Sequence, residues 1–339
     1  TNQVVAVGGS LGEQKTTGWN RGTQLTRQTG SSMKPLADIV PGLQEKVITA
    51  ATIYDDAITD FGGGYKPKDY NNPKGYINIR SCIRTSQNIP MVKVMMELTP
   101  KKSIEYLKKM GITTLDDTKD ANPALSIGGL SKGISPLEMA GAYASIANDG
   151  VYTKPIFFTK VVDSSGNTVL TANQEKTRVI SEQNAYLTRS IVSEPTKSGG
   201  TATYCAIPGM ETCAKTGSTD DYVDRWLCGF TPYYTAACWF GYDNDQEPLK
   251  VGQVRKVTSN NGEKIDSITL LLNNNVEILF VPRNDGTLDF SVSDPQFDTS
   301  NLDCSIDKEV LRDLFMAIRD GYKQVIANET ESEGTNSWN

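Results

Sequence analysis

METCAKTGSTDDYVDRWLCGFTPYYTAACWFGY, residues 210–242, reads as three consecutive strands over 212–218, 225–230 and 235–242. The links between them are short and polar or contain proline, which predicts an antiparallel meander. The first of these strands carries Lys215-Thr216-Gly217-Ser218-Thr219, an amine and three hydroxyls around one glycine. Upstream stand two further groups of the same chemistry. Ser31-Ser32-Met33-Lys34 places a hydroxyl and an amine three residues apart, and Ser86-Gln87-Asn88 adds a hydroxyl and a carboxamide. The chain contains no histidine. A serine nucleophile here must therefore pass its proton to lysine.

Apolar residues at Met33, Leu36, Ile39 and Val40 predict a helix, and Pro35 is tolerated only in a first turn. Ser31 thus lies at or near the helix N-terminus, on one face with Lys34. Lys34 can act as base only when neutral. Bringing a lysine from about 10.4 to near 7 requires roughly 4–5 kcal/mol against the charged form, and burial together with the second positive charge of Lys215 pushes that way. Ser86 is placed to relay a proton, and Asn88 to orient Lys34 and hold a substrate amide. Thr216 and Ser218 suit a substrate carboxylate, and Gly217 lets a substrate backbone approach the strand. The backbone N–H groups of Ser31 and Ser218 suit an oxyanion hole, where one donor is typically worth about 10²–10³ in rate.

No single motif decides this. A Ser-x-x-Lys string is expected about once by chance in a chain of this size, and Ser305-Ile306-Asp307-Lys308 is a second copy, read as a helix start. Ser-x-Asn recurs at Ser165, Ser259 and Ser337, in stretches that read as turns or tail. The order and flanks of the three motifs carry the reading.

The rest of the chain sets the frame. It has 339 residues, 38% hydrophobic and 22% charged, with a net charge of -6. That composition fits a globular protein with a core and argues against nucleic acid as a main partner. No apolar run reaches membrane-spanning length. A short strand is expected over 3–9, so near the start that the chain reads as a fragment. An irregular loop is expected over 61–76, helices over 89–110, 136–147 and 182–192, and a hairpin over 161–170. Residues 1–245 form the main unit. Residues 246–305 read as a β-rich insertion with strands at 267–272, 276–281 and 288–292. An amphipathic helix over 306–327 is expected to pack on the sheet, followed by a disordered tail over 328–339. The six cysteines show no C-x-x-C pair. Without histidine a zinc site would need sulfur or carboxylate ligands alone, and no metal or other cofactor is expected. Cys228 and Cys238 flank a turn and invite a cross-strand pairing, but buried free thiols are the preferred reading.

With its flanks, the chain resembles the transpeptidase domain of class A, bifunctional penicillin-binding proteins. Asn20-Arg21-Gly22-Thr23-Gln24 with Arg27-Gln28-Thr29-Gly30-Ser31-Ser32-Met33-Lys34-Pro35 is similar to that family's nucleophile block. Tyr65-Lys66-Pro67-Lys68-Asp69-Tyr70 and Thr85-Ser86-Gln87-Asn88-Ile89-Pro90 resemble its second block. Gly133-Ile134-Ser135-Pro136-Leu137-Glu138 resembles a structural segment, and Gly200-Thr201-Ala202 with 214–219 resembles the third block. The likeness covers about 3–245 and resumes near 307–325. Met33 departs from the family's usual residue there. The resemblance implies an α+β fold: a five-stranded antiparallel sheet flanked by helices, with an all-helical lobe. It implies a D,D-transpeptidase that cross-links peptidoglycan stem peptides and is acylated by β-lactams. Ser31 would be nucleophile and Lys34 base, with Ser86, Asn88 and Lys215 completing the proton network and Thr216, Gly217, Ser218 and Thr219 binding substrate. It further implies an extracytoplasmic site, with a membrane anchor and a glycosyltransferase domain outside this stretch. A serine β-lactamase shares the three motifs but often carries a Glu-x-x-Leu-Asn loop, and no such string lies between Asn88 and Lys215. A β-lactam-sensing receptor domain is the non-enzymatic alternative.

Overall fold

A computed structural model describes residues 2–10, 18–69 and 72–243, and the backbone of five strands between 253 and 306. At its centre lies one continuous helical passage. It starts as a 3₁₀ turn, Gly30–Met33, widens to a π turn, Pro35–Ile39, and tightens to an α turn, Val40–Gln44. The two prolines explain these changes of pitch. Pro35 sits at an N-terminal position, where its missing N–H is no loss. Pro41 has no N–H to offer the Ala37 carbonyl four residues earlier. The Ser103 hydroxyl donates to that carbonyl instead, at 2.8 Å.

This passage is buried on every side, so it divides the core in two. Met33, Leu36, Ala37 and Val40 pack into one apolar cluster with Met139, Ala142, Tyr143, Ile146, Trp226 and Phe230. Ile39 and Leu43 pack into a second with Ile79, Ile83, Met91, Val94 and Ile191. A helix apolar all round belongs in a protein interior, and its one lysine is carried inside with it.

The expected meander forms. Cys213–Ser218, Asp224–Phe230 and Thr235–Gly241 make an antiparallel sheet in that order. Among the described residues this sheet has three strands. The strand expected over 3–9 is reduced to one parallel bridge between Gln3 and Ile156; Val5 beside it is largely exposed and buries no side chain to lengthen the pairing. Pro136–Ala147 lies across the sheet. Its start is fixed by a capping box, in which the Ser135 hydroxyl accepts from the Glu138 N–H and Glu138 accepts from the Ser135 N–H.

Other expectations are met or corrected locally. Glu182–Val192 is helical, and Lys160–Val162 pairs with Thr168–Thr171 as a hairpin. The helix expected over 89–110 is two helices, Ile89–Leu98 and Pro100–Lys109. Pro100 ends the first by lacking an N–H, and Thr99 turns the chain at φ +76°. The irregular loop ends earlier than expected, because Gly75–Asn78 pairs with Ile53–Asp56. Cys228 lies opposite Ala237, and Cys238 opposite Leu227, so the two thiols do not face each other. Cys82, Cys213 and Cys228 are buried and free, whereas Cys238 is free and exposed.

The chain divides between Leu249 and Lys250 into two compact units. In the second, Gln253–Asn260, Lys264–Leu271, Glu277–Pro282, Leu288–Ser293 and Cys304–Ile306 form a five-stranded antiparallel meander. The strand-like runs expected at 267–272, 276–281 and 288–292 fall on its second, third and fourth strands. Ser305, read as opening a helix, pairs instead with Asp289. The remainder of the expected helix, 307–327, and the tail, 328–339, lie outside the described residues.

The sheet edge and the Gly30–Met33 turn meet backbone to backbone. A Cβ on Gly217 would stand 2.2 Å from the Thr29 carbonyl oxygen, and one on Gly30, at φ +54°, within 2.4–2.7 Å of the Ser218 backbone. Gly217 thus seats the strand on the turn, a contact inside the protein rather than the substrate approach expected for it. Gly217→Ala is expected to lower stability by about 1–3 kcal/mol, as overpacking does. Thermal unfolding with circular dichroism measures it, and an unchanged midpoint would contradict this contact.

Candidate active site

The three motifs, more than fifty residues apart along the chain, converge on two buried amines. Lys34 and Lys215 are both fully shielded from solvent. Lys34 Nζ donates to the Ser86 carbonyl at 2.6 Å and to Asn88 Oδ1 at 2.6 Å, with Ser86 Oγ at 3.4 Å. Lys215 Nζ donates to Ser86 Oγ at 2.8 Å and to the Thr216 carbonyl at 3.0 Å. One hydroxyl therefore lies within hydrogen-bonding range of both amines.

Local structure sets each position. Ser31 is half-buried on the 3₁₀ turn, and Lys34 caps the C-terminal end of that turn. The turn is pinned from three sides. Ser32 Oγ donates to the Thr29 carbonyl at 2.7 Å, the buried Tyr143 hydroxyl to the Ser32 carbonyl at 2.7 Å, and Trp226 Nε1 to the Gln28 carbonyl at 2.8 Å. Ser86 caps the Ile79–Thr85 helix in the left-handed region, at φ 60°, which serine adopts seldom. That turn brings its carbonyl and its hydroxyl toward the lysines together. The Asn88 amide donates to the Lys68 carbonyl at 2.6 Å, which leaves its oxygen for Lys34.

Burial controls the charge state. It lowers Lys34 from 10.5 to about 8, against the opposing pull of Asp38 and then Asp69. The change corresponds to roughly 3 kcal/mol against the ammonium form. Burial lowers Lys215 further, and the charge of Lys34 adds to it. Asp38, one helical turn beyond Lys34, is enclosed and takes a hydrogen bond from Ser126 Oγ at 2.9 Å. Desolvation holds its carboxyl well above the usual carboxylate range. It is thereby kept from locking Lys34 as an ion pair.

The Cys213–Ser218 strand contributes hydroxyls along one margin. Thr216 Oγ1 donates to Thr201 Oγ1 at 3.1 Å, and Arg225 Nη1 to Ser218 Oγ at 3.0 Å. Thr219 has a different commitment. Its hydroxyl accepts from the Asp224 N–H at 2.9 Å and closes the turn into the next strand. Asp224 is held in turn by Arg27 Nε at 2.7 Å and Trp239 Nε1 at 2.8 Å. The structure thus joins Lys34, Ser86, Asn88 and Lys215 in one hydrogen-bonded group, with Ser31 on the turn that carries Lys34, Thr216 and Ser218 on the strand that carries Lys215, and Thr219 at the end of that strand. Among the described residues no cluster of carboxylates or thiols has metal-binding form, and no helix is long and apolar enough to cross a membrane.

Sequence reasoning missed Tyr143, Asp38, Asp56, Asp69 and Ser126. Asp69 lies in a quoted motif and was legible as a neighbour. Tyr143 and Asp38 sit in helical patterns that read as core, with no local sign of their polar partners.

The arrangement has close relatives. Residues 1–261 match the family described as penicillin binding protein transpeptidase domain. Penicillin-binding protein 1F of Bacillus subtilis is 36% identical over 257 residues, covering 73% of this chain and 34% of that protein. Penicillin-binding protein 1A of Clostridium botulinum is 34% identical over 255 residues, covering 71% and 30%. The chain thus spans about a third of the length of these curated relatives. Among solved structures, penicillin-binding protein 1A of Haemophilus influenzae superposes with a TM-score of 0.61 at 26% identity, over 69% of this chain and 41% of that one. The PonA1 protein of Mycobacterium tuberculosis, solved in complex with penicillin V, gives the same score and identity over 69% and 65%.

Tyr143→Phe deletes the one hydroxyl that holds the Ser32 carbonyl and leaves that acceptor unpaired in the core. A loss of about 1–3 kcal/mol is expected, read as a lower urea midpoint with an unchanged slope.

Proposed function

The chain belongs to the penicillin-binding protein transpeptidase family, and on that premise we propose that it is a serine D,D-transpeptidase that cross-links peptidoglycan stem peptides. The observation that carries the reading is the Ser86 hydroxyl shared by two buried amines.

In this reading neutral Lys34 takes the proton of Ser31 Oγ, which attacks the carbonyl of the penultimate D-Ala of a donor stem. The N–H groups of Ser31 and Ser218 receive the oxyanion. The tetrahedral adduct collapses, the C–N bond breaks, and D-Ala leaves with a proton delivered from Lys34 through Ser86. Lys215 and Asn88 hold that relay in line. The amine of a second stem then attacks the ester by the reverse path, its proton returning through the same groups. Thr216 and Ser218, with the Arg225 guanidinium behind, receive the terminal carboxylate, and the Gly217 strand edge lies alongside. Thr219 supports this edge through its turn. A β-lactam presents the same carboxylate and carbonyl and is opened by Ser31 into an ester. The donor, the acceptor amine and the β-lactam are the partners this site suits. We place the reaction at the extracytoplasmic face of the bacterial plasma membrane. We assign the parent protein an anchor and a glycosyltransferase activity, in keeping with the class A resemblance.

Incubation with a penicillin followed by intact-mass measurement is expected to give one persistent adduct, mapped to Ser31, and none in Ser31→Ala. Adduct on Ser31→Ala would overturn the assignment, and rapid loss of the adduct with destruction of the drug would make the chain a β-lactamase.

Because only neutral Lys34 accepts a proton, the acylation rate is expected to rise with pH below about 6, where an amine lowered to about 8 is still mostly charged. Lys34→Ala should lower it by about 10²–10⁴. Stopped-flow acylation by a chromogenic cephalosporin measures both; a rate independent of pH below about 6 in the wild type would remove Lys34 from the role of base.

A further inference from the structure

Behind the Ser86-Gln87-Asn88 turn lie two carboxyl groups with a mismatch between them. Asp56 is fully buried at the end of the Ile53–Asp56 strand. Its Oδ2 accepts from Gln87 Nε2 at 2.7 Å and from the Lys74 N–H at 2.9 Å. Asp69 Oδ1 accepts from the N–H of Asn88 and, at 3.3 Å, from that of Ile89. The two residues thus grip the turn from both sides. Each has a second oxygen, Asp56 Oδ1 and Asp69 Oδ2, that is buried and has no donor. Asp56 acts on Asp69 as a side-chain hydrogen-bonding and like-charge neighbour, which raises the Asp69 carboxyl. Two ionised carboxylates offer acceptors only and cannot form that bond.

We infer that Asp69 Oδ2 carries a proton and donates it to Asp56 Oδ1, and that this carboxyl–carboxylate bond is the clamp that positions Asn88 against Lys34. Both orphaned oxygens are then satisfied by one hydrogen. Asp69 becomes a positioning residue that works as an amide would, accepting at one oxygen and donating at the other. The proton has an electrostatic consequence as well. A charged Asp69 favours the ammonium form of Lys34, whereas a neutral one leaves the amine freer to act as base. The charged and titratable groups facing the pair are Lys34, from the nucleophile helix, and Cys82, from the Ile79–Thr85 helix. The Cys82 thiol is pushed up to about 12 by burial and stays neutral. Lys74 contributes its backbone N–H.

Burial and the Asp56 contact raise Asp69 to about 6, against the backbone N–H of Asn88. An acid raised in the folded state gives stability that is present at low pH and lost as pH rises through that value. Above it the clamp holds two like charges, and the competent fraction falls.

The proposal rests on the transpeptidase reading for its catalytic consequence but not for the proton itself, and the experiment separates the two. Acylation by a chromogenic cephalosporin and thermal midpoints are measured from about pH 5 to pH 8 for the wild type, Asp69→Asn and Asp69→Ala. Asparagine keeps the acceptor and supplies a permanent donor to Asp56. The ratio of the Asp69→Asn rate to the wild-type rate is expected to rise roughly tenfold between about pH 5 and pH 7, as the wild-type competent fraction drops. Its midpoint should gain on the wild type over the same interval. Asp69→Ala, with neither group, should acylate more slowly than Asp69→Asn throughout. A protonated-carboxyl stretch in pH-difference infrared spectra should be present in the wild type and absent in Asp69→Asn. A flat rate ratio with a flat midpoint difference, or an Asp69→Asn variant as impaired as Asp69→Ala, would overturn the clamp. If no form is acylated the transpeptidase reading fails, and the infrared band and midpoints still decide the proton.

Discussion

Everything at this site follows from placing two lysine amines where water does not reach. An ammonium buried without compensation is expensive, and the protein meets that constraint in two ways. It surrounds each Nζ with a few fixed oxygens, two of them from Ser86 and one from Asn88, and it lets burial move the proton affinity downward. Among the described residues neither lysine forms an ion pair with a carboxylate. Asp38, the nearest candidate, is desolvated with Lys34 and held by Ser126. The result, in a chain without histidine, is a pair of buried amines of lowered proton affinity.

Such a site demands rigidity, and the fold supplies it through backbone contact. The helical passage Gly30–Gln44 is wedged between two apolar clusters. Its first turn touches the sheet edge so closely that neither Gly30 nor Gly217 has room for a side chain. Hydrogen bonds from Tyr143 and Trp226 fix the same turn from the helix and sheet sides. The second motif is held differently, by a left-handed cap at Ser86 and by Asp56 and Asp69 behind it. The three motifs thus sit on three separately anchored elements, and the energetic burden of the buried charges is spread over all of them.

Much of this was legible in the chain. The motifs named Lys34, Ser86, Asn88 and Lys215, which the fold brings together, and the pattern over 210–242 predicted the three strands, the first of which carries Lys215. The helices expected over 136–147 and 182–192 both form. Local rules also misled. A helix was drawn through Pro100, Ser305 was read as a helix start, and the run over 3–9 was given more pairing than it makes. The break at Pro100 is local, whereas the other two outcomes depended on partners elsewhere in the chain, Asp289 for Ser305 and Ile156 for Gln3.

The sequence by itself determined the kinds of chemistry available: hydroxyl, amine and carboxamide groups, in an order that belongs to one family. It could not determine their protonation, because proton affinity depends on which groups end up sealed from water together. Only the tertiary structure brought Asp69 against Asp56, gave both lysines one hydroxyl and turned Gly217 inward onto the nucleophile turn. Those are properties of distance and solvent exclusion, set by packing between elements that share no neighbourhood in the chain.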